Sequence, residues 1–182
     1  EQVCDIVIKL SKFYRISLSN GSDYIDLKNE IEHVRLYTEL QNLRFSRKIK
    51  LTANIEESLE NYKIMKLLLQ PIVENSILHG ISNSDVEQGE INISAALKEN
   101  MIQIIVADNG IGMSQSTIYR LMTYGEIHAD NDNLGGYGLK NVISRLKLYY
   151  DNQAQISFES VPDKGTKVII SIPYMYKQKN LS

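Results

Sequence analysis

The segment that most constrains this chain is Leu67–Gly80, because it combines a helical apolar pattern with a small group of polar residues. Apolar side chains recur in and just before it at helical spacing, at Met65, Leu68, Leu69, Ile72 and Val73. This spacing predicts a helix over residues 62–81 with one buried face. Pro71 lies inside that range and removes one backbone hydrogen bond, so a kink near Leu67 is expected.

Three polar residues of the same segment, Glu74, Asn75 and His79, lie outside the apolar stripe, and Asn75 and His79 are one turn apart. Such a group is either a satisfied network in the core or a ligand site. The glycine-rich turns further along the chain favour a ligand site. The amide oxygen of Asn75 and the carboxylate of Glu74 are suitable ligands for Mg²⁺ where phosphates complete the coordination.

The first of these turns, Asp108-Asn-Gly-Ile-Gly112, follows an apolar strand pattern. The Asp108 carboxylate is an acceptor that could take a hydrogen bond from an adenine amino group. Gly110 and Gly112 allow a tight turn and a close backbone approach to a flat ring. Taken alone, the segment is more often an ordinary Asp-Asn-Gly turn.

Two further turns, Gly135-Gly-Tyr-Gly138 and Gly165-Thr166, complete the series. The first precedes a helix predicted to begin near Leu139, and a glycine-rich helix start favours a phosphate. It matches neither the P-loop nor the dinucleotide-binding fingerprint. Thr166 is either a hydroxyl near the adenine or an ordinary hairpin threonine. An asparagine-bearing helix followed by three such turns has the order of an ATP site.

Two apolar stripes precede these segments and predict an antiparallel helical hairpin, with one helix over residues 1–18 and another over residues 27–45. The hairpin is either a cap on the following domain or half of a dimeric four-helix bundle. The length of both stripes favours the bundle. His33 lies among charged neighbours and is expected to be a solvated helix residue, not a catalyst.

From residue 49 onward, strand and helix patterns alternate irregularly. Strands are predicted over 49–55, 90–97, 101–107, 155–160 and 166–172, helices over 114–123 (capped by Ser114) and 139–150, and a mobile loop over 124–134. This order predicts an α+β fold, a two-layer α/β sandwich with a mixed sheet, preceded by the helical hairpin. The predicted divisions are residues 1–46 for the hairpin, 47–176 for the α+β domain and 177–182 for a polar tail.

Composition excludes several other classes. A formal charge of −2 and a pI of about 6.0 give no electrostatic footprint for nucleic acid. A single cysteine, Cys4, excludes an internal disulfide and a cysteine-built metal site, and indicates a reducing, cytoplasmic setting. The chain begins without Met inside a predicted helix, and we interpret it as a fragment of a longer protein.

Together these segments resemble the GHKL ATPase superfamily, which is shared by histidine kinases, DNA gyrase, the Hsp90 chaperones and MutL. The similar segments are Pro71–Gly80 (N box), Asp108–Met113 (G1 box), Gly136–Val142 with Arg145 (G2 box) and Gly165-Thr166 (the last box). The resemblance narrows to sensor histidine kinases of the LytS/YesM type over Leu67–Asn75, Leu139–Tyr150, Glu30–Tyr37 and Gln41–Phe45. Leu78 stands where relatives often carry a basic residue near the phosphates.

The resemblance implies a GHKL sandwich that binds ATP with Mg²⁺. It implies cofactor-binding roles for Asn75, His79, Asp108, Gly110, Gly112, Met113, Gly135, Gly136, Tyr137, Gly138, Leu139 and Thr166. It also implies catalytic roles for Glu74, Asn75 and His79, with Asn75 and Glu74 as the Mg²⁺ ligands. Residues 113–134 are implied to form a lid over the phosphates.

The family transfers the γ-phosphoryl group of ATP to a histidine on a dimerising hairpin, and then to an aspartate of a response regulator. The acceptor motif of the family is expected upstream of residue 1, so the implied partners are a second copy and a response regulator. The implied location is the cytoplasmic part of a cell-membrane protein. The alternative is a non-kinase GHKL module whose nucleotide state switches dimerisation or partner binding, but the preceding hairpin favours the kinase.

Overall fold

A mixed five-stranded sheet forms the centre of the computed structural model, which describes residues 2–44, 48–123 and 137–174. The strands are β1 (Tyr24–Asp26), β2 (Ile49–Ile55), β3 (Lys63–Met65), β4 (Gly89–Lys98), β5 (Met101–Asp108), β6 (Gln155–Ser160) and β7 (Thr166–Pro173). The helices are α1 (Gln2–Leu18), α2 (Leu27–Asn42), α3 (Gln70–Asn75), α4 (Gln115–Thr123) and α5 (Tyr137–Tyr149), and a π-helical segment (Ser76–Ile81) extends α3. Short 3₁₀ turns span Ser19–Gly21 and Glu57–Leu59.

The sheet has the order β2–β4–β5–β7–β6, in which β2 and β4 are parallel and the other pairs are antiparallel. Alternate residues of β4 and β5 are buried, so one face of the sheet packs on helices. Glu99 and Asn100 both have positive φ, at 47° and 67°, as a tight two-residue hairpin turn requires. The predicted α+β sandwich with a mixed sheet is therefore confirmed, and so are both predicted hairpins.

The helix predicted over residues 62–81 is wrong in its first half. Residues 63–65 form β3, which pairs antiparallel with β1, and α3 begins only at Gln70. Met65, Leu68 and Leu69 are fully buried from a strand and a loop, because an apolar run does not by itself distinguish helix from strand. Pro71 lies in the first turn of α3, where no backbone N–H donor is needed, so the predicted kink is also wrong.

The two long helices form the predicted hairpin, and α2 is the buried member. Leu27 and Val34 of α2 are 0% exposed within the core shared with the sheet domain. The backbone N–H groups of Leu27 and Lys28 donate to the carbonyls of Tyr62 and Glu60, so the start of α2 is hydrogen-bonded to that domain. On this side the hairpin caps the domain, whereas the dimeric bundle stays a prediction.

His33 is not solvated, contrary to the sequence-based expectation. It is 0% exposed, its Nε2 lies 2.7 Å from Ser17 Oγ, and its ring stacks on Phe13 with 4.3 Å between the ring centroids. Both contacts come from α1, which a pattern confined to α2 does not show. Burial lowers the pKa of His33 to about 4, so the ring is neutral at physiological pH.

Other boundaries agree closely with expectation. The Ser114 hydroxyl accepts from the Thr117 N–H at 3.2 Å and caps α4 as predicted, and α5 begins two residues before the predicted start. The second helix ends at Asn42, about three residues before the predicted end near Phe45. The predicted loop 124–134 and the tail 177–182 lie outside the described residues. Among the described helices, none is both long enough and apolar enough to cross a bilayer.

Candidate functional site

A cavity of about 410 Å³ lies between α3 with its π-helical extension, the turn after β5, and α4, α5 and β7. Its lining residues are Ile72, Asn75, Ser76, His79, Gly80, Asn83, Asp108, Ile111, Gly112, Met113, Ser114, Thr117, Leu121, Leu139, Thr166 and Val168. The cavity therefore brings together the polar helix segment and the first and third glycine turns, which are far apart in sequence. It combines apolar walls with a few convergent polar groups, as small-molecule sites do.

Asp108 is the carboxylate of this cavity, at the end of β5. Its Oδ2 accepts a hydrogen bond from Ser76 Oγ at 2.7 Å, and its Oδ1 accepts from the N–H groups of Gly110 and Thr166 at 2.9 and 3.3 Å. Burial raises the pKa of the Asp108 carboxyl, and these three hydrogen bonds oppose the rise. From the described residues, Oδ2 accepts only the bond from Ser76, so it keeps a lone pair for a ligand donor.

Backbone atoms of the glycine turns touch directly. A Cβ on Gly110 would lie 2.4 Å from the carbonyl carbon of Gly80, so only glycine fits there. A Cβ on Gly165, which has a φ of 83°, would lie 1.9 Å from the Asp108 carbonyl oxygen. Gly112 lines the cavity, whereas Gly110 packs against the π-helical segment instead. We refer to Gly80, Gly110, Gly112 and Gly165 together as the glycine rim.

A buried serine ties two sides of the cavity together. Ser160 Oγ accepts from the Met113 N–H at 2.7 Å and donates to the Gly165 carbonyl at 2.8 Å. The Thr166 hydroxyl lies 3.0 Å from the same oxygen. Met113 and Thr166, two predicted site residues, are thus joined through a side chain that was not predicted.

Asn75 lines the cavity with its amide oriented by its own helix. Its Nδ2 donates to the Pro71 carbonyl at 2.6 Å, and among the described residues Oδ1 accepts no hydrogen bond, so Oδ1 can bind a ligand or metal. The first turn of α5 approaches closely, because a Cβ on Gly138 would lie 3.6 Å from Asn75 Nδ2. The fold thus places the predicted N box beside the start of the helix that follows the second glycine turn.

The other predicted site residues divide into three groups. His79 and Leu139 line the cavity, and His79 is exposed on its wall. Glu74 is not among the described lining residues; its charge acts on Tyr37 of α2, whose pKa is raised by burial and then by Glu74. Gly135 and Gly136 lie outside the described residues, and Tyr137 is described only as the first residue of α5.

Sequence reasoning missed two hydrogen-bonding serines of the site. Ser76 falls at a position that helical spacing buries, and a buried hydroxyl needs a partner, so this signal was present. Ser160 ends an exposed edge strand, and its role arises only from the fold. The asparagine Asn83 also lines the cavity, where its Nδ2 donates to the carbonyls of Leu78 and His79.

The side chains that line the cavity suit ATP better than a metal ion bound by protein residues alone. The described residues contain no cluster of three or more His, Cys, Asp or Glu that could hold a metal by itself. Ile72, Leu121 and Val168 supply apolar contacts suited to a flat ring, and Asp108 supplies an acceptor for an amino group. Asn75 Oδ1 can ligate a metal that phosphate oxygens also hold.

Comparison with known proteins identifies the family. The family described as histidine kinase-, DNA gyrase B- and HSP90-like ATPase matches residues 60–175, and the family described as histidine kinase matches residues 1–49. The sensor protein kinase HptS of Staphylococcus aureus (strain USA300) is 31% identical over 168 residues, which are 92% of this chain and 32% of that protein. This chain thus spans about a third of the length of the curated relatives that it matches.

Solved structures share the fold at low sequence identity. The histidine kinase AdeS of Acinetobacter baumannii has a TM-score of 0.61 at 15% identity, covering 93% of this chain and 77% of that one. The histidine kinase domain of the blue-light activated kinase of Erythrobacter litoralis EL346 has a TM-score of 0.56 at 16% identity, covering 95% of this chain and 75% of that one. These matches agree with the resemblance found in the sequence segments. The chain therefore belongs to the family of histidine kinase-, DNA gyrase B- and HSP90-like ATPases.

Proposed function

We propose that this chain is the ATP-binding catalytic region of a sensor histidine kinase and that ATP with Mg²⁺ binds in the cavity. The observation that carries the proposal is the Asp108 carboxylate, which is held by Ser76, Gly110 and Thr166 at the end of a cavity with apolar walls. An acceptor fixed from three sides beside apolar contacts suits the adenine amino group.

The end of the cavity beside Asn75 and the first turn of α5 is where the phosphates would lie, and its residues suit a nucleotide that carries a bound metal ion. The described lining residues include no lysine or arginine, so these residues supply little positive charge to bound phosphates. Asn75 Oδ1 would hold Mg²⁺, and the first turn of α5 would offer backbone N–H groups to phosphate oxygens. Bound Mg²⁺ would neutralise charge on the transferring phosphoryl group. Glu74 is not among the described lining residues, so it would contribute as a ligand only after its side chain moves toward the cavity.

Transfer of the γ-phosphoryl group requires an acceptor nitrogen nearly in line with it. His33 is fully buried between α1 and α2, and His79 belongs to the cavity wall, so neither is presented as an incoming acceptor. We propose that the acceptor is a histidine outside this chain and that a response regulator receives the phosphoryl group next. We further propose that the whole protein is a dimer joined through the helical hairpin, with this region on the cytoplasmic side of a cell membrane.

Replacing Asp108 tests the nucleotide site. In Asp108→Asn, one oxygen keeps the bonds from Gly110 and Thr166, while an amide nitrogen replaces the oxygen that faces Ser76. Loss of a hydrogen bond to a charged acceptor costs about 1.5–3 kcal/mol, so ADP affinity measured by titration calorimetry should fall about 10- to 100-fold. Asp85→Asn, at an exposed position of the loop after the π-helical segment, is the matched control and should bind as the unmodified chain does. Unchanged ADP affinity in folded Asp108→Asn would remove the adenine assignment.

A further inference from the structure

Glu30 places a carboxylate inside the interface between the helical hairpin and the sheet domain, where it is 0% exposed. Its Oε1 accepts from the Leu69 N–H at 2.8 Å and its Oε2 from the Leu67 N–H at 3.0 Å. Both donors belong to the loop between β3 and α3, residues 66–69. A buried carboxylate is costly unless its partners are in place, so this contact is formed only when the loop has this conformation.

Arg145 of α5 holds the same loop from the other side. Its guanidinium donates to the carbonyl of Lys66 at 2.6 Å and to that of Leu67 at 3.3 Å. Leu67 has a φ of 55°, a conformation that a leucine adopts only when its surroundings impose it. The N–H groups of Leu67 and Leu69 are therefore bound by α2, and the carbonyls of Lys66 and Leu67 by α5.

The loop determines where α3 begins. The Leu69 carbonyl accepts from the N–H groups of Ile72 and Val73 at 3.1 and 3.0 Å, as the first bonds of the helix. No side chain of the α3 start itself caps the helix; the Glu30 carboxylate supplies the acceptor and the negative charge that a helix N-terminus favours. Ile72 and Asn75, which line the cavity, follow within the next turns.

We propose that Glu30 is a positioning residue through which the helical hairpin acts on the nucleotide site. A movement of α2 that displaces Glu30 releases the loop, shifts the start of α3 and moves Asn75 relative to the nucleotide. By thermodynamic linkage, a bound nucleotide in turn holds the loop against α2. This inference rests on the proposed binding of nucleotide in the cavity.

Glu30→Gln removes the charge of the side chain and keeps its shape, so it tests whether Glu30 affects the affinity for nucleotide. In Glu30→Gln, an amide nitrogen, which is a donor, replaces one of the two carboxylate oxygens that accept from the loop. The N–H group of either Leu67 or Leu69 therefore loses its acceptor. We expect ADP affinity of the 182-residue chain, measured by titration calorimetry, to fall about tenfold. Glu32→Gln is the matched control on the same helix, because Glu32 pairs with Lys12 and Arg35 at the surface; its affinity should stay within about twofold.

Hydrogen exchange distinguishes positioning from a purely structural role. In the unmodified chain, ADP should slow exchange of the Leu67 and Leu69 amides, although neither residue lines the cavity. In Glu30→Gln that ADP-dependent protection should be lost, while the Gly110 and Thr166 amides beside Asp108 stay protected by ADP. If Glu30 had only a structural role, Glu30→Gln would raise amide exchange throughout the chain, and ADP would still slow exchange of the Leu67 and Leu69 amides.

If Glu30→Gln does not fold, Arg145→Gln tests the inference instead. It removes the guanidinium that holds the loop, and because Arg145 is partly exposed, the variant is expected to fold. Its ADP affinity should fall severalfold, with Lys147→Gln on the same helix as the control. The inference is overturned if Arg145→Gln binds ADP as the unmodified chain does, or if ADP still protects the Leu67 and Leu69 amides in Glu30→Gln. Either result leaves the proposed function in place. An unmodified chain that binds no ADP overturns the proposed function, and this inference with it.

Discussion

At the scale of single residues, the two ends of the Asn75 amide have different roles, one within the helix and one in the cavity. One N–H of the nitrogen is donated to the Pro71 carbonyl, and the oxygen accepts no hydrogen bond from the described residues. Removing the side chain therefore costs the helix one local hydrogen bond and costs the cavity its proposed metal ligand.

Asn75→Ala should lower the Mg²⁺-dependent part of ADP affinity about tenfold and leave metal-free binding nearly unchanged, because the metal loses one protein oxygen. Paired calorimetric titrations with Mg²⁺ and with EDTA measure this difference. Asn83→Ala is the control, since Asn83 lines the same cavity but uses its amide on the Leu78 and His79 carbonyls. An equal Mg²⁺ effect in Asn75→Ala and the unmodified chain would leave Asn75 with a structural role only.

His33 makes the stability of the hairpin depend on pH. Its folded pKa of about 4 lies below the ordinary value of 6.5, so the folded state favours the neutral ring. The stabilisation is complete above pH 6.5 and is lost as pH falls from 6.5 toward 4, because the unfolded chain then binds the proton more readily. From pH 7 to pH 5 the unmodified chain should lose about 2 kcal/mol of unfolding free energy more than His33→Gln does. Urea unfolding at both pH values measures it, and equal losses in the two chains would contradict it.

At the scale of elements, α1 presents an apolar stripe that the described residues of the chain do not cover. Val3, Val7, Tyr14 and Leu18 are 74%, 55%, 59% and 71% exposed, and Leu10 lies between them at 36%. Their spacing of four and three residues is that of a coiled-coil seam, which a second copy of the hairpin would bury.

Val7→Glu should therefore weaken self-association of this chain at least about tenfold, as measured by sedimentation velocity over a range of concentrations. Ile8→Glu is the matched control. Ile8 is 65% exposed, but helical geometry places it on another face of α1, so its variant should associate as the unmodified chain does. Equal association of the Val7 and Ile8 variants would show that the seam is not the contact between copies.

Elements with a long internal pattern were predictable from the sequence, and elements defined by distant partners were not. Both hairpin helices, the β4–β5 hairpin and the β6–β7 hairpin followed from periodicity and turn residues. The strand β3 did not, because three residues become a strand only through pairing with β1. The burial of His33 depends likewise on Phe13 and Ser17 from another helix.

The same distinction holds inside the site. Asp108, Asn75 and the glycines could be predicted because carboxylates, amides and glycines have specific chemical or conformational uses. The burial of Ser76 could be predicted from helical spacing, but its partner Asp108 could not. Ser160 acts through bonds to Met113 and Gly165, which no local pattern reports. Glu74 was predicted to cluster with Asn75 and His79 on the helix, but it is not among the described lining residues, so its role in the site stays a prediction.

At the scale of the whole molecule, nucleotide binding and phosphoryl acceptance are expected to be separate. The 182-residue chain should bind ADP but show negligible acid-labile labelling with radiolabelled ATP, because His33 is buried and His79 belongs to the cavity wall. The third histidine, His128, lies outside the described residues. A longer chain that includes the upstream helix should become labelled. Strong labelling of the 182-residue chain that disappears in His33→Gln would show that the buried histidine is the acceptor.

The glycine rim has a consequence for inhibitors that compete with ATP. Because Gly80, Gly110, Gly112 and Gly165 meet neighbouring segments through main-chain atoms, adding a single methyl group at Gly110 or Gly165 would displace two segments of the chain at once. The shape of the rim is therefore hard to vary between related proteins, and compounds that contact only its cavity-lining members, Gly80 and Gly112, should discriminate poorly among them. Selectivity for this chain has to come from the apolar walls, where Ile72, Leu121 and Val168 meet their neighbours through side-chain atoms.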